Sequence, residues 1–478
     1  MKNILVFSLL MINFSLLIPC NAQYTVLHDF NDTNGAPLGD LRLVGKMLYG
    51  MTNGRSGVPY RSSVFSMDTD GSHYRILHDF DSTPNNEYHF GSLVYIAGVL
   101  YGTTNEGGLY GGGNIFSIDT NGSNYKDLLD FDGLNGAYPG SLTISGEKLY
   151  GMTEEGGANN YGVIYKIDTD GSGYEDLYDF PGGKMGFEPY GSLTISGKKM
   201  YGMTSQGMYF GNIFSVDTDG NEYTVFGQFD GMNAGQPFGS LTLSQQGVLY
   251  GMTSDVVQSN TGVYKGNIFS IDTNGSAYKN VFYFGVKNSG AYPYGSLILA
   301  GSTLYGMTTH GGTYSGGIIF SIDTNGDRFK NMYDFKGPNG NYNTINGYYP
   351  GGSLTLSGTT LYGMAQGGGA NGYGVIFKID TSAISTAAVN NLIVNQVEIN
   401  VYPNPSGGIF QLEINKYELG INATVEVYNV LGEQIYQSNI NSDNTEINLS
   451  NQPNGVYLYR VTTLTGELVG EGKMMVQK

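Results

Sequence analysis

The sequence predicts an all-β chain: seven four-stranded blades closed into one ring, followed by a small β-sandwich. Three observations lead there. A Tyr-Gly-(Met/Thr) tripeptide after Leu or Met recurs at Tyr49, Tyr101, Tyr150, Tyr201, Tyr250, Tyr305 and Tyr362, at intervals of 49 to 57 residues. A period near 50 calls for a repeat architecture. Gly is 74 of 478 residues and Tyr is 39, with no sustained 3.6-residue apolar period, which suits short strands and tight turns rather than helices. The repeat stops after Asp380, where the composition changes.

The first 23 residues read MKNILVFSLLMINFSLLIPCNAQ. A lysine, a long apolar run and small residues before Gln23 predict a signal peptide over 1–22. Cys20 is the only cysteine and follows Pro19. A lipid-acceptor cysteine wants a small residue before it, so cleavage after Ala22 is the expected route. No later apolar stretch is long enough to span a membrane.

Residues 23–380 form the repeat. In the third unit the strand-like pieces are Gly140 to Gly146, Lys148 to Thr153, Gly162 to Asp168 and Tyr174 to Phe180. Short Gly-bearing turns such as SGEK and DTDGSG join them as hairpins. Apolar residues fall on both faces of the middle strands, as expected of a sheet covered on both sides. Seven such units predict a seven-bladed β-propeller. A parallel β-helix fits less well, because its coils are shorter and lack tight hairpins.

Ring closure follows from counting. The Asp-Phe-type strand ends at Phe30, Phe80, Phe131, Phe180, Phe229, Phe284 and Phe335. The Ile-Asp-type strand ends at Asp68, Asp119, Asp168, Asp217, Asp272, Asp323 and Asp380. The first Asp-Phe strand precedes every unit, and none follows Asp380. Tyr24 to Phe30 is therefore expected to complete the last blade beside Gly374 to Asp380, leaving no open edge. The mid-strand Gly of each Tyr-Gly is expected to lie under an aromatic ring of the next blade.

Alternating connections place all long loops on one face, around the central channel, where a rigid scaffold usually presents its function. Tyr138, Tyr292 and Tyr349 recur there at matched positions. They either pad one loop against another or offer sugar-stacking faces. Five residues after the repeat Tyr stand Glu106, Glu155, Gln206, Asp255 and His310, with Gly54 and Gly367 in the other two units. They are expected to form a partial polar ring, read as a solvated rim or a ligand-binding ring. Glu106 and Glu155 could serve as a glycosidic carboxylate pair, although they belong to different blades. The repeated DTDG and DTNG read as hairpin turns, with calcium as the alternative. His28 and His78 read as packing residues in the outer strands. No cofactor is expected, and no catalytic triad, zinc, phosphate-loop or dinucleotide motif is present. A formal charge of −18 argues against nucleic acid and anionic lipid.

After a small, polar linker (381–394), residues 395–478 read as about seven short strands, a small Ig-like β-sandwich. This stretch resembles the C-terminal sorting domain of type IX secretion cargo. Tyr402-Pro403-Asn404-Pro405, Asn429-Val430-Leu431-Gly432, Leu449-Ser450, Pro453-Asn454-Gly455-Val456-Tyr457 and Lys473 to Lys478 carry the match. Asn429 stands where Asp is commoner, and Glu433 where Lys is commoner. The resemblance implies recognition by outer-membrane export machinery and delivery to the cell surface or medium. The seven units are similar to the GloVer-type tandem repeat, with its LYGxT…GG…G.IF.ID..G pattern. That likeness implies a secreted or displayed array and brings no catalytic residues. The expected function is a secreted or surface binding or adhesion module, for glycan or a surface protein. The alternatives are a structural surface component and a polysaccharide-acting glycosidase or lyase.

Overall fold

A computed structural model of the chain describes residues 24–381 and 399–478, apart from 33–34, 54–61, 81–90, 208–209, 232–234, 260–261, 286–287, 339–343, 415–422, 430–433, 441, 443 and 464–467. The expected signal peptide, nearly all of the expected linker, Gly54 and Gly432 lie outside the described residues. The chain divides into two compact units, Met1–Ser385 and Thr386–Lys478.

The first unit holds seven antiparallel sheets. In the third, Thr143–Ser145, Lys148–Glu155, Val163–Asp168 and Glu175–Asp179 pair in that order, and Ala137–Pro139 prefixes the inner strand. The other sheets have four strands each. The seventh combines Thr355–Ser357, Thr360–Ala365 and Val375–Asp380 with Tyr24–Asp29 as its outer strand. Tyr24 pairs with Ile379 and Asp29 with Val375, with a bulge between Val26 and His28. The third blade has the same bulge at its outer strand pair. Phe30 N–H donates to Gly374 O at 3.0 Å, just as Phe180 N–H donates to Gly162 O. The N-terminal strand thus has the pairing and the irregularity of a native fourth strand.

Burial explains why the sheets form a cycle. Each sheet is apolar on both faces and cannot cover itself. Seven core clusters lie between successive sheets, and one of them joins Leu41, Leu48, Phe65 and Met67 of the first blade to Phe30, Tyr362, Met364 and Ile376 of the seventh. The six others join blades one to seven in sequence. Outer strands also stack ring on ring between blades: His28 on Tyr74 at 3.8 Å, His78 on Tyr125 at 3.7 Å and Tyr178 on Tyr223 at 3.9 Å. Tyr24 makes the same contact with Tyr333 of blade six at 3.8 Å.

One expectation needs correction. The ring over each mid-strand Gly comes from the same blade, not the next. Gly151 pairs directly across from Tyr165, and Gly102 from Phe116, on the neighbouring strand. A Cβ on Gly102 would lie 2.5 Å from Phe116 Cζ. Cross-strand partners sit closer than anything in the adjacent sheet, so the aromatic folds over its own partner.

In the second unit, Ile399–Tyr402, Ile409–Ile414 and Asn444–Asn448 form one sheet, and Gln434–Ile440, Ala423–Tyr428, Gly455–Thr463 and Leu468–Val476 the other. Phe410, Leu412, Val425, Val427, Ile447, Val461 and Met474 fill the space between them. Several sorting-motif residues make hydrogen bonds within the sandwich. Asn404 Nδ2 donates to Lys473 O at 2.8 Å, and its Oδ1 accepts from Met475 N–H at 2.9 Å, tying the Tyr402–Pro405 turn to the last strand. Tyr457 is buried and its hydroxyl donates to Pro453 O. Lys478 Nζ donates to Gln452 O.

Candidate functional site

A cavity of about 640 Å3 opens at one end of the ring, lined by residues of all seven blades. Its floor is built from one repeated dipeptide. Gly-Ser begins the inner strand in six blades, and in the first blade Gly39-Asp40 stands in its place. In six of the seven blades this Gly abuts the backbone of the next blade: a Cβ on Gly352 would lie 2.0 Å from Gly39 O, and one on Gly295 2.2 Å from Gly352 O. Only Gly permits that approach.

The second residue of the dipeptide ties neighbouring blades into a partial belt. Ser92 N–H donates to Ser141 Oγ, Ser192 N–H to Ser240 Oγ, Ser240 N–H to Ser296 Oγ and Ser296 N–H to Ser353 Oγ, at 2.8 to 3.0 Å. Ser353 N–H donates to Asp40 Oδ1. Burial pushes the Asp40 carboxyl up, against the opposing pull of hydrogen bonds from Ser353 and Ser92.

The residue before the Gly forms the wall. In blades four to six it is Tyr190, Phe238 and Tyr294, all lining the cavity. Their rings follow one another with centroids 5.0 Å and then 5.2 Å apart, inclined at 52° and 64°. Tyr294 keeps 39% of its surface exposed. Leu38, Asp40, Glu154 and Gln366 complete the lining, with Glu154 beside Tyr190. Asn105 Nδ2 donates to Glu154 Oε1 at 3.2 Å. Burial drives the Glu154 carboxyl up to about 8; the Asn105 bond opposes this, and Glu188 and Glu155 add to it. Burial, then the nearby Glu154, pushes the Tyr190 hydroxyl up as well.

Of the eight residues singled out in the sequence, His310 and Tyr349 line the cavity. Their rings stack at 4.6 Å and 12°. Burial and then Lys265 hold the His310 imidazole below its usual value. Glu155 is exposed, and Glu106 and Gln206 are partly buried; none of the three is a lining residue. Asp255 lies in the strand Val248–Ser259, and its side chain is outside the described residues. Tyr138, Tyr292 and Tyr349 have positive φ of 56° to 59°. Their N–H groups donate to Gly112, Lys265 and Gly316 carbonyls of the preceding blade's loop at 2.8 to 2.9 Å, fastening loop to loop.

The shortfall has a parity cause. Successive strand residues point to opposite sides. The place four residues after the repeat Tyr reaches the cavity in three blades, as Glu154, Thr309 and Gln366, whereas the place five after it does so only as His310. Two signals in the sequence mark the rest of the site: an aromatic before Gly-Ser in three consecutive blades, and Asp40 where the other blades have Ser.

Fold and site together define a seven-sheet repeat propeller with a channel-mouth cavity, joined to a C-terminal sandwich. The chain belongs to the Gloeobacter/Verrucomicrobia repeat family, which matches residues 14–148, 140–265 and 263–417. Residues 400–477 match the secretion system C-terminal sorting domain. That domain directs the chain to the cell surface or extracellular space by type IX secretion. Among the described residues no helix is long and apolar enough to cross a membrane.

A comparison with curated protein sequences gives no match. Among solved structures, the chain is similar to the extracellular domain of a hybrid two-component system from B. thetaiotaomicron, at 12% identity and TM-score 0.49, over 95% of this chain and 57% of that one. The extracellular domain of a one-component system from the same organism gives 13% identity, TM-score 0.49 and coverage of 95% and 58%. An oligogalacturonate lyase in complex with manganese gives 10% identity, TM-score 0.44 and coverage of 75% and 93%. The chain spans a little over half of the two extracellular domains.

Proposed function

We propose that the protein is an exported binding module whose propeller holds a saccharide at the channel mouth. The wall of Tyr190, Phe238 and Tyr294 carries this reading, because it sets apolar ring faces above a polar floor. A sugar has the matching asymmetry: C–H faces that stack on rings and hydroxyls that hydrogen-bond. Gln366, Thr309 and the serine belt supply donors and acceptors. A glycan array followed by calorimetry on the full chain tests the reading. Tyr294→Ala, at a half-exposed place, is expected to leave folding intact. It should weaken glycan binding about tenfold, the equivalent of roughly 1.4 kcal/mol. Unchanged affinity in this variant refutes it.

A second reading, adhesion to a protein, draws on exposed loop residues. Leu109, Tyr110 and Leu134 are 74%, 62% and 82% exposed. Large exposed apolar side chains grouped in loops mark contact surfaces. Joint substitution of these three by Ser should abolish cell or matrix adhesion while sparing glycan binding.

A further inference from the structure

We infer that the saccharide taken at the channel mouth bears an amine, with its ammonium group on the side lined by Glu154 and Tyr190. The inference rests on the saccharide reading above and adds the ligand's charge.

Three features of the cavity lead to it. The first is charge balance among the lining residues: Asp40 and Glu154 are acidic, and none is Lys or Arg. The second is how Glu154 is surrounded. It receives a hydrogen bond from Asn105 of the preceding blade. It faces Glu188 and Tyr190 from the following loop, with Glu155 beside it on its own strand. No cation is among these neighbours. Burial, with carboxylates rather than a cation for company, favours the protonated form of such a carboxyl and raises it to about 8. A ligand ammonium supplies that missing charge and displaces the proton.

The third is the aromatic wall. Tyr190 stands next to Glu154, and Phe238 and Tyr294 continue the row. Ring faces attract cations as well as C–H groups, and most strongly where water is excluded. The far side is different. Lys265 lies 5.6 Å from the Tyr292 ring and acts on His310. A ligand ammonium is thus repelled from the His310 side and drawn to the Glu154 side, which orients the sugar. An anionic sugar meets the opposite field at Glu154, where it would have to pair with carboxyls.

The test is calorimetry on the full chain at pH 6 with three probes: a chitosan tetramer, its fully N-acetylated counterpart and tetragalacturonate. Each is run in two buffers of different ionisation enthalpy, so that proton exchange is read directly. At pH 6 the chitosan amines are protonated and Glu154 is neutral. The chitosan tetramer should bind about tenfold or more tighter than the N-acetylated one. It should release close to one proton per site, because ammonium pairing ionises Glu154. Glu154→Gln, which keeps shape and hydrogen bonding, should remove the proton release and most of the preference.

If the N-acetylated tetramer binds equally well, or the chitosan tetramer binds with no proton release, the inference on charge is overturned and the saccharide reading stands. Tighter binding of tetragalacturonate overturns it too. If none of the three binds and the glycan array is blank, both fall.

Discussion

Replacing Phe30 by Ala probes ring closure directly. Phe30 is fully buried between blades seven and one, against Leu41, Leu48, Phe65 and Met67 on one side and Tyr362, Met364 and Ile376 on the other. Its ring lies 5.7 Å from that of Phe65 and 5.0 Å from that of His28, each edge to face. Truncation removes the ring and leaves a void that the rigid sheets fill only in part. Core Phe→Ala changes of this kind cost about 3–5 kcal/mol. Phe180 occupies the same place in blade three, is equally buried, and lies 5.6 Å from Phe214. If the N-terminal strand is a true fourth strand, Phe30→Ala and Phe180→Ala should lose the same stability to within about 1 kcal/mol. The assay is equilibrium urea unfolding followed by tyrosine fluorescence, since the chain has 39 Tyr and no Trp. A Phe30→Ala midpoint at the wild-type value, beside a depressed one for Phe180→Ala, refutes closure by this strand.

Gly102→Val puts side-chain carbon 2.5 Å from Phe116 Cζ and 2.9 Å from Leu93 Cδ2; overpacking should cost about 2–3 kcal/mol in the same urea assay. Glu154 binds its proton more tightly folded than unfolded, since its value rises from 4.5 to about 8. Its contribution to stability is therefore full below 4.5 and is lost as pH rises towards 8. The difference between wild type and Glu154→Gln, measured by unfolding at pH 4.5 and pH 8.5, should show that loss in the wild type alone. A chain truncated before residue 400 should remain inside the outer membrane, as read by protease accessibility on intact cells, because the matched sorting domain spans 400–477.

Most of the scaffold was legible in the sequence because the repeat samples each position seven times. The clasp is the clearest case. Tyr24, His28 and Phe30 carry the outer-strand pattern, and a count of strands shows where they belong. The stacking of His28 on Tyr74 and of Tyr24 on Tyr333 is that same pattern made physical. The site was harder to read. Glu106 and Glu155 stand out by charge, but pleating turns them from the channel. Glu154 faces it, and Asn105 approaches Glu154 from the neighbouring blade. A one-residue error in strand parity moves every side chain to the opposite side. The origin of the aromatic over Gly102 was missed for a related reason: periodicity identifies equivalent positions but not which neighbour they meet.

Symmetry and function pull in opposite directions at the channel mouth, and Asp40 shows how both are met. The belt uses an acceptor on one blade for the N–H of its neighbour, and Ser141, Ser240, Ser296 and Ser353 serve in that way. Asp40 accepts from Ser353 as Ser353 itself accepts from Ser296, so the junction of blades seven and one keeps this bond. It also places a carboxyl in the cavity floor, which no Ser can do. The same economy holds at the place four residues after the repeat Tyr. Asn105, Ser205, Ser254 and Thr309 are buried there as small polar residues. Glu154 alone in that series is acidic. Departures that preserve the backbone bonds of the repeat while altering charge are the ones a ring can tolerate. They concentrate where the blades converge, and there seven similar units yield one asymmetric site.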